Sequence, residues 1–215
     1  GEGASTTQRR RWSTAVVFQR PVRVGVVPHP SRLTPYAYTM DFNANHFQLF
    51  GLPETFRLDA DRLDAAYRTL QNEIHPDRFV AAGDAEKRLS MQWATRVNEA
   101  YQTLKKPLGR ATYLLELAGF QAITEKHTAF PPVFLMQQME WREAIGEARK
   151  TRNHAGLDKL MRVLRTEQKT LEQLLEEQLD GMHDHNAAGE TVRKLKFMHK
   201  LIEELGDAQE EMDNA

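Results

Sequence analysis

The sequence contains no cysteine, and this absence excludes several kinds of chemistry within the chain. Disulfide bonds, thiolate zinc sites, cysteine-ligated iron–sulfur clusters and cysteine nucleophiles all require that residue. Long apolar runs are also missing, since no stretch approaches the roughly 18 residues that a membrane-spanning helix needs. The net charge is −1, so the chain as a whole lacks the positive excess that is typical of nucleic-acid-binding proteins. We therefore expect no membrane or nucleic-acid partner, no cofactor and no metal site.

The first 39 residues differ in composition from the rest of the chain. They contain six arginines and four prolines but only one acidic residue, Glu2. The chain begins at Gly1, and Met40 stands just before the first patterned segment. We expect residues 1–41 to be a disordered or non-native extension that buries no core. An organellar transit peptide is the alternative, because such peptides are rich in arginine and poor in acidic residues.

From Phe42 onward, apolar residues recur at helical spacing and predict an all-α fold. A short helix is expected between His46 and Leu52. The next helix is capped by Asp59 or Asp61 and ends at Pro76, because proline lacks the amide donor that a helix needs. A third helix begins near Asp84 and ends at Pro107. The two longer helices are expected to form an antiparallel hairpin, with the first carrying the apolar stripe Leu63, Tyr67, Leu70 and Ile74.

The remainder of the chain predicts a second group of helices. A short helix follows Pro107, and a linker ends at Pro131 and Pro132. Three further helices are expected over about 133–149, 154–179 and 191–209, with the glycines at 181 and 189 marking the last connection. Residues 207–213 are expected to be a frayed acidic end. Short connections between three helices favour a bundle.

The tripeptide His75-Pro76-Asp77 lies in the loop of the predicted hairpin. A proline that stops one helix and an aspartate that caps the next would explain the tripeptide without any function. With Tyr67–Leu70 before it and Asn98–Leu104 after it, however, the arrangement resembles a J-domain. That resemblance implies that the loop, together with basic residues, binds a DnaK-class chaperone and accelerates its ATP hydrolysis. The available basic residues are Arg62, Arg68 and Arg78.

Four further segments closely resemble the HscB family and cover the chain from about Met40 to Leu205. They are residues 45–53, 110–115, 134–143 and 191–197. The resemblance implies an L-shaped all-α protein, with a J-domain over 42–117, a linker over 118–131 and a C-terminal three-helix bundle over 132–210. It also implies two partners: an HscA-like chaperone of the DnaK class and an IscU-like iron–sulfur scaffold protein. Since eukaryotic members often add a cysteine-rich zinc module, the absence of cysteine favours a bacterial member.

The helix that begins near Phe134 carries two apolar stripes on different faces. Phe134, Trp141, Ile145 and Ala148 form one stripe and are expected in the core. Leu135, Met136 and Met139 form the other and share their face with three glutamates, Glu140, Glu143 and Glu147. An exposed apolar cluster among charges is typical of a protein interaction site. Packing against another helix is the alternative for these residues, and for Phe197, which lies off the apolar stripe of the last helix.

In the HscB family, this apolar and acidic surface holds the scaffold protein. We therefore expect a co-chaperone of iron–sulfur protein maturation that delivers the scaffold to the chaperone. A general J-domain protein that delivers unfolded clients is the alternative. An enzyme that uses His75 and Asp77 as acid and base is disfavoured, because no nucleophile accompanies them and Pro76 should limit their approach. We expect a cytoplasmic bacterial location, or the mitochondrial matrix if residues 1–39 are a transit peptide.

Overall fold

The computed structural model describes residues 41–75, 77, 83–120 and 130–214, and all of these belong to one compact unit. The predicted all-α class is confirmed, since the described residues form helices and no strand. Among them, no helix is both long and apolar enough to cross a membrane. The expectation for residues 1–41 concerns, except for Asp41, residues outside the described part.

The described helices are α1 (His46–Leu49), α2 (Ala60–Ile74), α3 (Asp84–Lys105), α4 (Pro107–Leu117), α5 (Pro132–Lys150), α6 (His154–Glu176) and α7 (His185–Asp213), with a π-helical turn (Glu177–Gly181) between α6 and α7.

Helices α2 and α3 form the predicted hairpin around an apolar cluster. Asp59 caps α2, because its carboxylate accepts hydrogen bonds from the amides of Asp61 and Arg62 at 3.0 and 3.1 Å. The stripe of α2 is buried except for Tyr67, which is half-buried and stacks on Tyr101. Burying each large apolar side chain contributes about 1.5–3 kcal/mol, so this cluster holds the hairpin together. Its buried members include Phe47, Leu63, Leu70, Ile74, Trp93, Val97 and Leu104.

A second apolar cluster joins α4, α5, α6 and α7. The core stripe predicted for α5 is buried. The leucines of α6 at 157, 164 and 171 recur every seven residues and pack along α7. Phe56 and the α4 residues Ala111 and Leu115 belong to this same cluster, although they lie in the segment predicted as the J-domain. Leu114 packs against both clusters. The predicted boundary at residue 117 stays a prediction, and the apolar contacts of α4 extend across it.

Helix α7 begins at His185, six residues before the predicted start at Thr191. Asp184 caps it by accepting a hydrogen bond from the amide of Ala187 at 3.0 Å. Gly189, which the sequence indicated as part of a connection, lies inside the helix and is buried against the ring of Phe120. The predicted frayed end is also helical: Ala208 is buried, and Glu211 forms an ion pair with Arg149 of α5.

The end of α2 is fixed by α3. The hydroxyl of Ser90 donates a hydrogen bond of 2.6 Å to the carbonyl oxygen of Ile74, and both residues are buried. Carbonyls in the last turn of a helix have no partner within the helix, so this bond satisfies one of them. It also fixes the backbone directly before His75. Ser90 thus anchors the end of α2 to α3 at the point where the loop begins.

We expect Ser90→Ala to lower the free energy of unfolding by about 1–3 kcal/mol, because the buried carbonyl of Ile74 loses its partner. Denaturant unfolding measures the change. Thr95→Ala is the matched control on the same helix, since the hydroxyl of Thr95 donates to a carbonyl of its own helix at an exposed position. The control should change stability by no more than about 0.5 kcal/mol. Equal effects of the two substitutions would show that the bond to Ile74 has no special role.

Two glycines of α7 provide a second stability test. A Cβ at Gly189 would lie 2.5 Å from Cε1 of Phe120, whereas a Cβ at Gly206 would meet nothing within 4 Å. Gly206→Ala should therefore stabilise the protein by up to about 1 kcal/mol through helix propensity. Gly189→Ala should instead destabilise it by about 1 kcal/mol or more, because the ring of Phe120 must move. Thermal and denaturant unfolding of both variants measure this, and stabilisation by both would contradict it.

Candidate functional site

The first candidate site is the loop that begins at His75, directly after α2. The Nδ1 atom of His75 accepts a hydrogen bond from the backbone amide of Asp77 at 3.3 Å. The same Nδ1 lies 3.5 Å from a carboxylate oxygen of Asp77. The expectation that Pro76 limits the mutual approach of these two side chains is therefore wrong, because both the amide and the carboxylate of Asp77 lie close to Nδ1 of His75.

This contact does not turn the pair into an enclosed acid–base site. The side chains of His75 and Asp77 are 58% and 84% exposed. General acid–base catalysis profits from a site that excludes water and holds a substrate, and solvent reaches both groups here. Exposed polar groups at the end of a helical hairpin suit recognition by another protein.

The structure describes two of the three basic residues that were predicted for the loop site. Arg62 and Arg68 are exposed on α2. Arg68 precedes His75 by about two helical turns, or roughly 10 Å along the helix axis. Pro76 and Arg78 lie outside the described residues. A partner that contacts the loop can thus reach at least one guanidinium on α2.

The second candidate site is the face of α5 that points away from the core. Leu135, Met136 and Met139 are 43%, 63% and 71% exposed. Val133 is 77% exposed, and its position three residues before Met136 places it beside that residue on the helix surface. Sequence analysis missed Val133, although the same spacing could have identified it. We call Val133, Leu135, Met136 and Met139 the apolar patch.

The acidic residues predicted around the patch are exposed too. Glu140, Glu143 and Glu147 occupy the turns of α5 that follow the patch. On the opposite face of the same helix, Phe134 and Trp141 are buried. The two stripes therefore face different surroundings: one faces the bundle and the other faces solvent. Contiguous exposed apolar surface with a charged rim marks an interaction surface.

Phe197 departs from the expected exposed cluster because it is half-buried. Its ring packs edge-on against Phe134, with the centroids 5.8 Å apart. The guanidinium of Arg142 lies 5.2 Å from the centroid of the Phe197 ring, and Arg142 also pairs with Glu204 at 3.8 Å. Since α7 packs on α5 at this point, Phe197 is partly covered by the bundle itself. Phe197 packs against the first turn of α5, and its side chain remains partly exposed.

Comparisons with known proteins agree with this architecture. Residues 130–206 match the family model of the HSCB C-terminal oligomerisation domain. A co-chaperone protein HscB homolog from Paraburkholderia xenovorans is 53% identical over 172 residues, which cover 80% of this chain and 98% of that relative. The resemblance stated from the sequence is thus found along most of the chain.

Solved structures of HscB proteins also match this chain. The structure of chaperone HscB from Vibrio cholerae matches with a TM-score of 0.69 and 37% identity, covering 79% of this chain and 99% of that one. The human co-chaperone protein HscB matches with a TM-score of 0.74 and 27% identity, covering 85% and 93% of the two chains. This chain belongs to the HscB family of co-chaperones.

Proposed function

We propose that the protein binds an IscU-like iron–sulfur scaffold protein through α5 and delivers it to an HscA-like chaperone of the DnaK class. The loop at His75 stimulates ATP hydrolysis by that chaperone. One observation carries the proposal: an apolar patch with an acidic rim is exposed on α5, a helix of the α4 to α7 cluster, while the exposed His75 follows α2, a helix of the other cluster. A chain with two separate exposed sites can hold two partners at once.

The loop acts by contact, and the protein is not itself an enzyme. His75 and Asp77 offer an imidazole and a carboxylate that lie close to each other and are exposed. Pro76 restricts the backbone between them. Arg68 and Arg62, with Arg78 as a further cation, supply positive charge for an acidic surface on the chaperone. The chemistry of ATP hydrolysis then takes place within the chaperone.

The patch on α5 suits a folded partner of defined shape. Methionine side chains adapt to a partner surface, and Met136 and Met139 are the most exposed of the three residues predicted from the sequence. Glu140, Glu143 and Glu147 favour a partner that carries positive charge beside its apolar surface, because complementary charge accelerates association and fixes orientation. Phe197 contributes from α7. A holder of many unfolded clients has less use for a fixed acidic rim, so the general J-domain alternative is less favoured.

The location follows from the proposed partners. We place the protein in the bacterial cytoplasm, where a DnaK-class chaperone and an iron–sulfur scaffold would meet it. The mitochondrial matrix is the alternative if residues 1–39 act as a transit peptide. Import of the complete chain into isolated mitochondria distinguishes the two locations.

We expect His75→Gln to abolish stimulation of the chaperone's ATPase while scaffold affinity stays within about twofold, because distant sites without shared contacts act independently. Single-turnover ATP hydrolysis and calorimetric titration with the scaffold measure the two effects on one variant. His154→Gln is the matched control: its side chain is 53% exposed at the start of α6 and pairs with Asp213. Full stimulation by His75→Gln would refute the role of the loop.

We expect the combined variant Leu135→Ala, Met136→Ala and Met139→Ala to lose scaffold affinity by about 30-fold or more, since an interface hot spot contributes about 2 kcal/mol or more. Its stability should change little, because exposed positions cost no more than about 0.5 kcal/mol each. Scaffold titration and a thermal melt measure both. Phe197 is replaced separately, because its packing on Phe134 adds a cost in stability.

The control for the patch variant is Met91→Ala with Val163→Ala. These side chains are 54% and 46% exposed but lie on α3 and α6. The control variant should bind the scaffold like the parent protein. Loss of folding in the patch variant, with no scaffold binding by the parent, would show that the patch is structural.

A further inference from the structure

Asp180 makes two hydrogen bonds to a segment more than 120 residues earlier in the chain. One carboxylate oxygen accepts from the amide of Phe56 at 2.6 Å, and the other accepts from the amide of Arg57 at 2.8 Å. Phe56 and Arg57 belong to the connection between α1 and α2. Because each oxygen takes one of two consecutive amides, the carboxylate fixes both the position and the direction of that connection.

Neighbouring contacts reinforce this attachment. Phe56 is 4% exposed and belongs to the apolar cluster of α4 to α7. The guanidinium of Arg110 lies 4.9 Å from the centroid of the Phe56 ring. Burial lowers the pKa of Arg110, while the charges of Glu172 and Asp180 oppose that shift. Arg57 pairs with Glu176 at 3.6 Å, although this pair is largely exposed and contributes little.

A change in helix type accompanies the position of Asp180. The residues from Glu177 to Gly181 form a π-helical turn, and the amide of Met182 donates to the carbonyl of Glu177 at 2.8 Å, five residues back. Such a wide turn inserts a residue and changes the direction of the side chains that follow. Gln178 and Leu179 remain buried, while Asp180 lies at the edge of the bundle. A regular α-helix would present position 180 in another direction.

We propose that Asp180 is a positioning residue that fixes the α2–α3 hairpin relative to the α5 patch. The consequence rests on the proposed function. The chaperone binds at the loop that begins at His75, and the scaffold binds at the patch. When both are bound, the relative orientation of the two sites sets the effective concentration of the scaffold at the chaperone. Effective concentration is largest when a linkage matches the required span and falls when the linkage is loose. Asp180 therefore affects the activation of the chaperone when the scaffold is also bound, and it does not affect the binding of either partner alone.

The absence of cysteine allows a direct measurement of this angle. Gln92→Cys on α3 and Lys159→Cys on α6 place two spin labels at exposed positions, on helices that contribute to different apolar clusters. Asp180→Ala removes both acceptors, and Asp180→Asn retains one amide oxygen. Glu177→Gln removes a carboxylate from the same turn without touching the two amides and is the matched control. All variants are made in the full chain.

We expect a single narrow label-to-label distance distribution in the parent and in Glu177→Gln. The distribution should broaden in Asp180→Ala and broaden less in Asp180→Asn. Chaperone ATPase stimulation without scaffold, and scaffold affinity without chaperone, should stay within about twofold of the parent. The scaffold concentration needed for half-maximal activation of the chaperone, at fixed co-chaperone, should rise by about fivefold or more in Asp180→Ala.

An unchanged distance distribution in Asp180→Ala would overturn the proposal, and so would a broadened distribution with unchanged joint activation. Should Asp180→Ala fail to fold, Asp180→Asn gives the same comparison with a smaller disturbance. Failure of the proposed function has a different signature, because the parent itself would then neither bind the IscU-like scaffold nor stimulate the HscA-like chaperone. In that case, the label distances alone decide whether Asp180 fixes the hairpin.

Discussion

Packing along α7 is the constraint on which the described structure depends. This helix has 29 residues, and its buried residues recur from Ala188 to Ala208. Helices α4, α5 and α6 all place apolar side chains against it. Because α4 follows α3 with only Lys106 between them, the packing of α4 on α7 also keeps the hairpin close to the bundle. One long apolar stripe thus organises both halves of the chain.

The position of α5 in this packing explains why an apolar face stays in contact with solvent. A helix at the edge of a bundle can bury only one stripe, and α5 buries Phe134, Trp141 and Ile145. No helix of the described part of the chain covers its second stripe. Exposed apolar surface promotes association, and nearby charge opposes unspecific association. Under the proposed function, the three glutamates that follow the patch limit unspecific contacts and favour a partner of complementary charge.

Local signals explain why most of the fold could be predicted from the sequence. Asp59, Pro107 and Pro132 mark helix starts through capping or a fixed φ angle, and the observed helices begin beside or at them. The predictions that failed concern positions whose structure depends on a residue that is distant in the sequence. Gly189 was predicted to be part of a connection, but it lies within α7, where the nearby ring of Phe120 leaves no room for a side chain. The partial burial of Phe197 likewise depends on Phe134, which is remote in sequence.

The candidate sites were predictable to different degrees for the same reason. The exposed stripe of α5 follows from spacing within one helix, so sequence reasoning found all of it except Val133. The contact between His75 and Asp77 depends on the detailed path of the backbone, which spacing does not give. The bonds from Asp180 to Phe56 and Arg57 depend on a π-helical turn and on residues 124 and 123 positions away. No local pattern predicts such a pairing.

The attachment of the hairpin combines two kinds of interaction with different physical properties. Burial of Phe56 is an apolar contact, and such contacts have little directional preference, so they hold two elements together without fixing an angle. Hydrogen bonds weaken steeply when their geometry departs from alignment, so the carboxylate of Asp180 supplies the missing direction. The bond to the amide of Phe56 is partly buried beside this apolar contact, whereas the bond to the amide of Arg57 is exposed. Neither interaction alone would both hold and orient the loop site relative to the patch.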